Sequence, residues 1–435
     1  MATIFYNSPP PEKPWKYWVK KIAARILFPP ILLWDALKVT TNYFFGVRLS
    51  KLILPSQSYE FYNKERYETQ LTDILRLRVP QHYPHSQIDR VNIITHDGAI
   101  LDGIQISPAK KSDDYIINFF GNGTLLEHML WAEHTDWVKD YHELGVNIIG
   151  FNYRNVSQSQ GIIQSENDLI TDGIAQVQRL LDKHVPPENI YLKGMSLGGA
   201  ISAMVAAHFH DLGIEVKCFN RSSFSNITNV VTGFLRSVPG EDNLPVTGYT
   251  ETRGRKIIAT LLKPIIKLGL ILSGWDMDAG SAFARLPIQD REYMLVRSSR
   301  ELRESLEPRD DTIITHYASI HMALKKERRK HKDFIDTRIQ ELEQRPFPVF
   351  EQNEKNSAIQ SLRKLRGDMR VRKMMTADPS FNGHHKTMAD LIDPCYSKTG
   401  NDFFWDFFRR SKMLKHNPLL NMVESVNRTS GVSPL

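Results

Sequence analysis

Cysteine is almost missing from this chain: Cys218 and Cys395 are the only two in 435 residues. Two thiols cannot make a disulfide framework, and neither stands in a cysteine and histidine spacing suited to structural zinc. A reducing compartment, or indifference to redox, is the simplest reading, and no metal or organic cofactor is expected. Long apolar runs are lacking too. The strongest near the start, residues 26–34, falls far short of the ~20 residues of a spanning helix, and Pro29, Pro30 and Asp35 interrupt it. It also begins too late, after Pro9, Pro10, Pro11 and Pro14, for a cleaved signal peptide, so neither a signal peptide nor a transmembrane helix is expected. No internal repeat, low-complexity tract or nucleic-acid recognition motif is visible, and the basic residues are scattered, which argues against nucleic acid as a partner.

What is present is ordinary globular material, 41% apolar and 24% charged, in a length that suits one large domain with insertions or two domains. The formal charge is +7 and the isoelectric point about 9.1, a balance that favours an acidic partner such as an anionic membrane surface. Near the start, Trp15, Tyr17, Trp18 and Trp34 mix with Lys16, Lys20 and Lys21. Such a segment suits a membrane interface, or a helix packed over the core, and the packed helix is the plainer reading.

Residues 1–85 read as a helical or irregular extension, and the main domain follows over 86–400. Its first element is a hairpin over 91–106, turned at Asp97-Gly98. Residues 115–120 and 146–152 are apolar strands of the buried, parallel kind. A helix through Trp131 and Trp137 lies between them, and another, with Leu169, Ile174, Val177, Leu180 and Leu181 at helical spacing, follows. Further strands fall at 189–192, 214–219, 293–297 and 370–375. Alternation on this scale predicts an α/β fold with a mostly parallel sheet, helices on both faces, and a site at the carboxyl ends of the strands. An insertion at 224–288 holds an apolar helix through Leu261, Leu262, Ile265 and Ile266, either a cap over an apolar substrate or a plain core helix. A second insertion, 315–367, is charged and helical, with Phe334, Ile335, Ile339 and Leu342 on one stripe. Residues 401–435 read as a C-terminal tail, its end small and polar.

The chemistry concentrates at Gly194-Met195-Ser196-Leu197-Gly198-Gly199-Ala200, a Gly-x-Ser-x-Gly motif between a short strand and a small-residue helix. A sharp strand–turn–helix corner lifts its central side chain clear, so Ser196 is a candidate nucleophile. A serine hydroxyl needs a base to take its proton and an acid to orient that base. The order nucleophile, acid, histidine is met by Pro308-Arg309-Asp310-Asp311-Thr312-Ile313-Ile314 and Phe381-Asn382-Gly383-His384-His385. Asp311 is preferred because it directly precedes the Thr-Ile-Ile run, with Asp310 as the alternative. His384 is preferred as base, with His385 as its rival. An oxyanion hole needs two backbone N–H donors, one expected from Leu197 and one from Asn122 in the Gly121-Asn122-Gly123 loop.

On these residues the chain resembles the α/β-hydrolase superfamily over roughly 88–400, carried by Phe120-Gly121-Asn122-Gly123, the elbow at 194–199 and Gly383-His384. More narrowly it is similar to the SidB and Sdb type of translocated effector of Legionella and to related chlamydial proteins, on its apolar leader, Gly274-Trp275-Asp276-Met277-Asp278 and Asp311-Thr312-Ile313-Ile314. The resemblance implies an α/β-hydrolase fold and a lipase-like or esterase-like activity on an acyl ester or lipid. It also implies passage from the bacterial cytoplasm into a host cell. The chain departs from the superfamily at Phe120, where a histidine usually precedes the glycine, and in the long spacer before His384. It implies no oligomeric state. A catalytically inactive binding or scaffold protein on the same fold is the competing reading.

Overall fold

The computed structural model describes residues 3–7, 15–27, 29–58, 72–127, 141, 144–238, 250–298, 314–315, 317–344, 346, 352–368, 372–376, 392–393 and 398–415. The chain opens with strand β1 (Thr3–Tyr6) and helices α1 (Trp15–Leu27) and α2 (Pro29–Ile53). Pro29 and Pro30 occupy the first turn of α2, where a missing N–H goes unnoticed. The hairpin is β2 (Gln87–Ile94) and β3 (Ile100–Ser107), with Gly98 at φ 89° in its turn. Next come β4 (Tyr115–Phe119) and β5 (Asn147–Phe151), buried along nearly their whole length as strands covered on both faces must be. Helix α3 (Glu166–Asp182) turns Leu169, Val177 and Leu180 into the core. Strand β6 (Ile190–Met195), helix α4 (Leu197–Asp211) and strand β7 (Lys217–Arg221) follow.

The strand expected at 214–219 starts three residues late for a local reason. Gly213, at φ 77°, closes α4 by donating to the His210 carbonyl, and Ile214 donates to Phe209. That pair of bonds is a Schellman-type helix end, so residue 214 belongs to the cap.

The insertion forms α5 (Ile227–Arg236), α6 (Arg253–Ser273) and α7 (Ala279–Arg285), after which β8 (Arg291–Ser298) returns to the sheet. The charged region is a pair of helices, α8 (Lys325–Gln344) and α9 (Gln352–Asp368), which bury Ile335, Ile339, Leu342, Ile359 and Leu362. Strands β9 (Arg372–Thr376), β10 (Ile392–Asp393) and β11 (Lys398–Thr399) and helix α10 (Gly400–Lys415) complete the described chain.

Among the described residues these eleven strands share one sheet in the order β1-β2-β3-β5-β4-β6-β7-β8-β9-β10-β11, and Ser237–Val238 and Thr250–Glu251 pair separately as a short antiparallel ribbon in the insertion. From β2 to β9 only β3 runs against the others, and this order and hand of pairing make the molecule an α/β-hydrolase fold. Its switch point decides where a site can form. Strand β5 lies on one side of β4 and β6 on the other, so the chain leaves the carboxyl ends of β4 and β6 beside each other with a crevice between their connections.

Three expectations change. The N-terminal extension is not only helical or irregular, because β1 extends the sheet in parallel with β2. Residues 401–435 are not simply a tail: α10 drives Phe403, Phe404, Phe407 and Phe408 into the core, where Phe404 packs edge-on to Phe219 at 5.1 Å and Phe408 lies 4.7 Å from Tyr191. Aromatic residues at helical spacing are what such docking requires, and each buried ring contributes roughly 1.5–3 kcal/mol. Helix α6 is not a plain core helix, since it fully buries only Ala259 and Ser273, packs Leu270 on the core and leaves Ile257, Ile258, Leu261, Leu262, Ile265 and Leu268 exposed. The helix expected through Trp131 and Trp137 lies outside the described residues.

Candidate active site

Strand β6 ends at Met195 and α4 starts at Leu197, leaving a single residue to turn the corner. That residue is Ser196, held at φ 55°, ψ −121°. An L-residue there carries about 1–3 kcal/mol of strain, tolerated only where the surroundings over-determine it. Here they do. The Ser196 N–H donates to the Arg221 carbonyl at 3.0 Å, carrying the β6–β7 ladder one residue past the strand. Its carbonyl accepts from the N–H groups of Gly199 (3.0 Å) and Ala200 (3.2 Å), the first bonds of α4.

The flanking glycines allow the close approach. A Cβ on Gly194 would lie 2.4 Å from the Gly198 carbonyl oxygen and from Ser202 Oγ; one on Gly198 would lie 2.2 Å from the carbonyl oxygen of Phe119. Helix α4 therefore begins directly against the end of β4. Gly199 is held by Asn220, whose side-chain amide donates to the Gly199 carbonyl at 2.8 Å. Ser196 itself is buried, with 6% of its surface exposed, and Leu197 is buried beside it. The N–H groups at this end of α4 precede its internal hydrogen bonds and form its positive pole.

The loop after β4 meets this corner. A Cβ on Gly121 would stand 3.6 Å from Ser196 Cβ and 3.5 Å from Met195 Cε, so Gly121 lies against the serine. Asn122 is exposed, and its carbonyl accepts from the Ser56 N–H at 3.4 Å. The loop is buttressed by a network that motif reading did not find. Asn152, just past β5, accepts from the Leu126 N–H (2.9 Å) and donates to Glu127 (2.9 Å), whose other oxygen accepts from Ser157. Tyr153 adds a bond from its hydroxyl to the Phe120 carbonyl at 3.3 Å. Asn152 and Glu127 have no sequence signature, because their partners come from separate strands and loops. Ser222, at φ 48°, and Ser223 line the end of β7, their buried hydroxyls without a hydrogen-bond partner among the described residues. Burial pushes the Cys218 thiol up to about 12, which makes it inert as a nucleophile at neutral pH.

Asp310, Asp311, His384 and His385 lie outside the described residues. The strands that precede them, β8 and β9, run parallel to β6 and end on the same side of the sheet.

The family model described as Chlamydia CHLPS protein (DUF818) matches residues 16–210. No curated protein matches. Among solved structures, the chain is similar to an α/β-hydrolase from Vibrio vulnificus, at 18% identity and a TM-score of 0.41 over 58% of this chain and 76% of that one. It is also similar to an esterase from Pyrococcus furiosus, at 15% identity and a TM-score of 0.41 over 77% of this chain and 93% of that one. A third is an esterase from Pyrobaculum calidifontis, at 14% identity and a TM-score of 0.34 over 57% of this chain and 79% of that one.

Proposed function

We propose that this chain is a serine hydrolase of the esterase or lipase class, cleaving a carboxylic ester with an acyl chain. The observation that carries the reading is Ser196 at φ 55° on a one-residue corner, with Gly121 of the β4 loop against its Cβ. A scaffold that needed no nucleophile would relax this corner, whereas strain held by surrounding bonds accompanies catalytic elbows. In the proposed cycle His384 takes the Ser196 proton as Oγ attacks the ester carbonyl carbon, and Asp311 orients the imidazole. The tetrahedral oxyanion is held by backbone N–H groups of Leu197 and of the loop bearing Asn122, each worth about 3 kcal/mol. Collapse expels the alcohol, which receives the proton from His384. Water, activated by the same histidine, then attacks the acyl-enzyme, releasing the acid and restoring the serine hydroxyl.

In keeping with the resemblance, the substrate is an acyl ester or lipid met inside a host cell after translocation, and the 224–288 insertion is the cap over it. The boundaries proposed for the parts are an extension to residue 85, the hydrolase domain at 86–400 and the tail from 401. A fluorophosphonate probe should label the wild type and leave Ser196→Ala unlabelled; equal labelling of both removes the assignment.

The scaffold reading keeps one specific observation in its favour. Phe120 stands where a histidine usually precedes the glycine, and it is buried in a core that includes Tyr141 and Phe404. It predicts a folded protein that no probe labels.

A further inference from the structure

Helix α2 is built inside out. The residues it turns toward the molecule include Asp35, Lys38, Asn42, Gly46 and Ser50, while those left exposed are mostly apolar. Leu33 is 72% exposed, Tyr43 76% and Leu52 76%, with Trp34, Phe44 and Phe45 also uncovered. At its end the inward side packs Leu49 and Ile53 against the core, and along the rest of its length it is docked by polar bonds. The Trp275 indole N–H donates to the Gly46 carbonyl at 3.1 Å, and the Asn42 amide donates to Ser273 (2.7 Å) and Gln164 (3.0 Å). A Cβ on Gly46 would be 2.4 Å from the Gln164 carbonyl oxygen, so this face is seated as closely as backbone allows.

Helix α6 packs along α2 and repeats the arrangement. It hides Ala259 and Ser273 and exposes Ile257, Leu261 (70%) and Ile265 (68%). Helix α1, against α2, adds Trp15, Trp18 and Ile22. Water-facing helices carry polar residues outward, and an apolar surface of this extent on a folded chain marks something that covers it.

Charge identifies the cover. Across α1, α2 and α6 there are twelve lysines and arginines and one acid, Asp35, which is paired with Arg25 at 2.6 Å. A second copy would set this basic surface against itself. An anionic lipid surface instead accepts both features, with apolar side chains in the acyl boundary, tryptophans at the headgroup level and lysines against lipid charge. Among the described residues no helix is long and apolar enough to cross a membrane.

We infer that α1, α2 and α6 form one peripheral docking face for an anionic phospholipid bilayer, with the exposed apolar sides of α2 and α6 inserted into the interface. The inference identifies the face through which the proposed hydrolase would reach a lipid ester, yet it does not require Ser196 to be active.

The test is co-sedimentation of the full chain with vesicles of phosphatidylcholine alone or with about 30% phosphatidylserine. Binding to the phosphatidylserine vesicles should be at least roughly tenfold tighter and should weaken as salt rises. Leu33→Glu and Leu261→Glu, both at exposed positions, should each weaken it about fivefold or more with an unchanged melting curve. Ser196→Ala should bind as the wild type does, which separates this result from failure of the hydrolase reading. Brominated lipid should quench tryptophan fluorescence, and the conservative Trp34→Leu should reduce that quenching. A wild type that stays in the supernatant with both vesicles overturns the inference. So does a dimer in sedimentation equilibrium that Leu33→Glu or Leu261→Glu dissociates, which would make a second copy the cover.

Discussion

The carbonyl oxygen of Phe119 lies so close to Gly198 that a methyl group on that glycine would stand 2.2 Å from it. Neither partner can yield, since one ends a central strand and the other opens the helix behind the serine. Gly198→Ala should therefore cost about 3 kcal/mol or more in urea unfolding and remove probe labelling. Gly254 and Gly269 in α6 have nothing within 4 Å, so alanine there should stabilise by roughly 0.5–1 kcal/mol.

The strain at Ser196 gives a second comparison. Alanine keeps the φ of 55°, whereas glycine adopts it freely. Ser196→Gly should unfold about 1 kcal/mol later than Ser196→Ala, after allowing for the greater entropy of unfolded glycine, and both should be unlabelled. Equal stabilities would mean that the corner holds no strain.

Glu166 supplies a pH dependence. Burial pushes its carboxyl from 4.5 up to about 7; the Met277 N–H, which donates to it, lowers the value, and the carboxylates of Asp276 and Asp278 raise it. The folded state thus binds the proton more tightly than the unfolded state does. This contribution to stability is full below about 4.5 and is lost as pH rises toward about 7. Glu166→Gln should flatten that slope in melting curves taken across the window. An unchanged slope would assign it to other groups.

Arg154 is buried and paired with Asp172 (2.8 Å) and Asp97 (2.7 Å), tying the loop after β5 to α3 and to the β2–β3 turn. Removing the fully buried partner strips the guanidinium Nε and the Arg154 backbone N–H of their acceptor and leaves the charge to Asp97 and Asp168. Asp172→Ala should cost about 2–4 kcal/mol, and Asp97→Ala, at the more exposed end, distinctly less.

Gly46→Ala should undock α2, because its Cβ would meet the Gln164 carbonyl at 2.4 Å. Hydrogen exchange across residues 29–53 should speed up while the amides of β4 and β6 stay protected. Uniform loosening of both regions would show that α2 is part of the cooperative core.

Much of this was legible in the letters. The hairpin turn at Asp97-Gly98, the apolar runs of β4 and β5 and the stripe of α3 are local patterns, so periodicity and turn chemistry find them. The elbow was legible for the same reason: Gly194, Ser196 and Gly198 act on one another within a few residues. Strand β1 was not, because four residues acquire meaning only when β2 offers an unpaired edge. Helix α10 offered a signal in Phe403, Phe404, Phe407 and Phe408, but a tail composition further on masked it.

Sequence alone determined the alternation of strands and helices, and the placing of a serine on a corner whose glycines permit it, since backbone freedom and side-chain period are properties of neighbours along the chain. Only the tertiary structure decided that Gly121 faces Ser196, that Asn152 and Glu127 brace the loop between them, and that α2 and α6 turn their apolar sides outward. Those relations depend on which strand lies beside β4 and on what each helix finds beneath it, and contacts between distant segments exist only once the sheet has assembled.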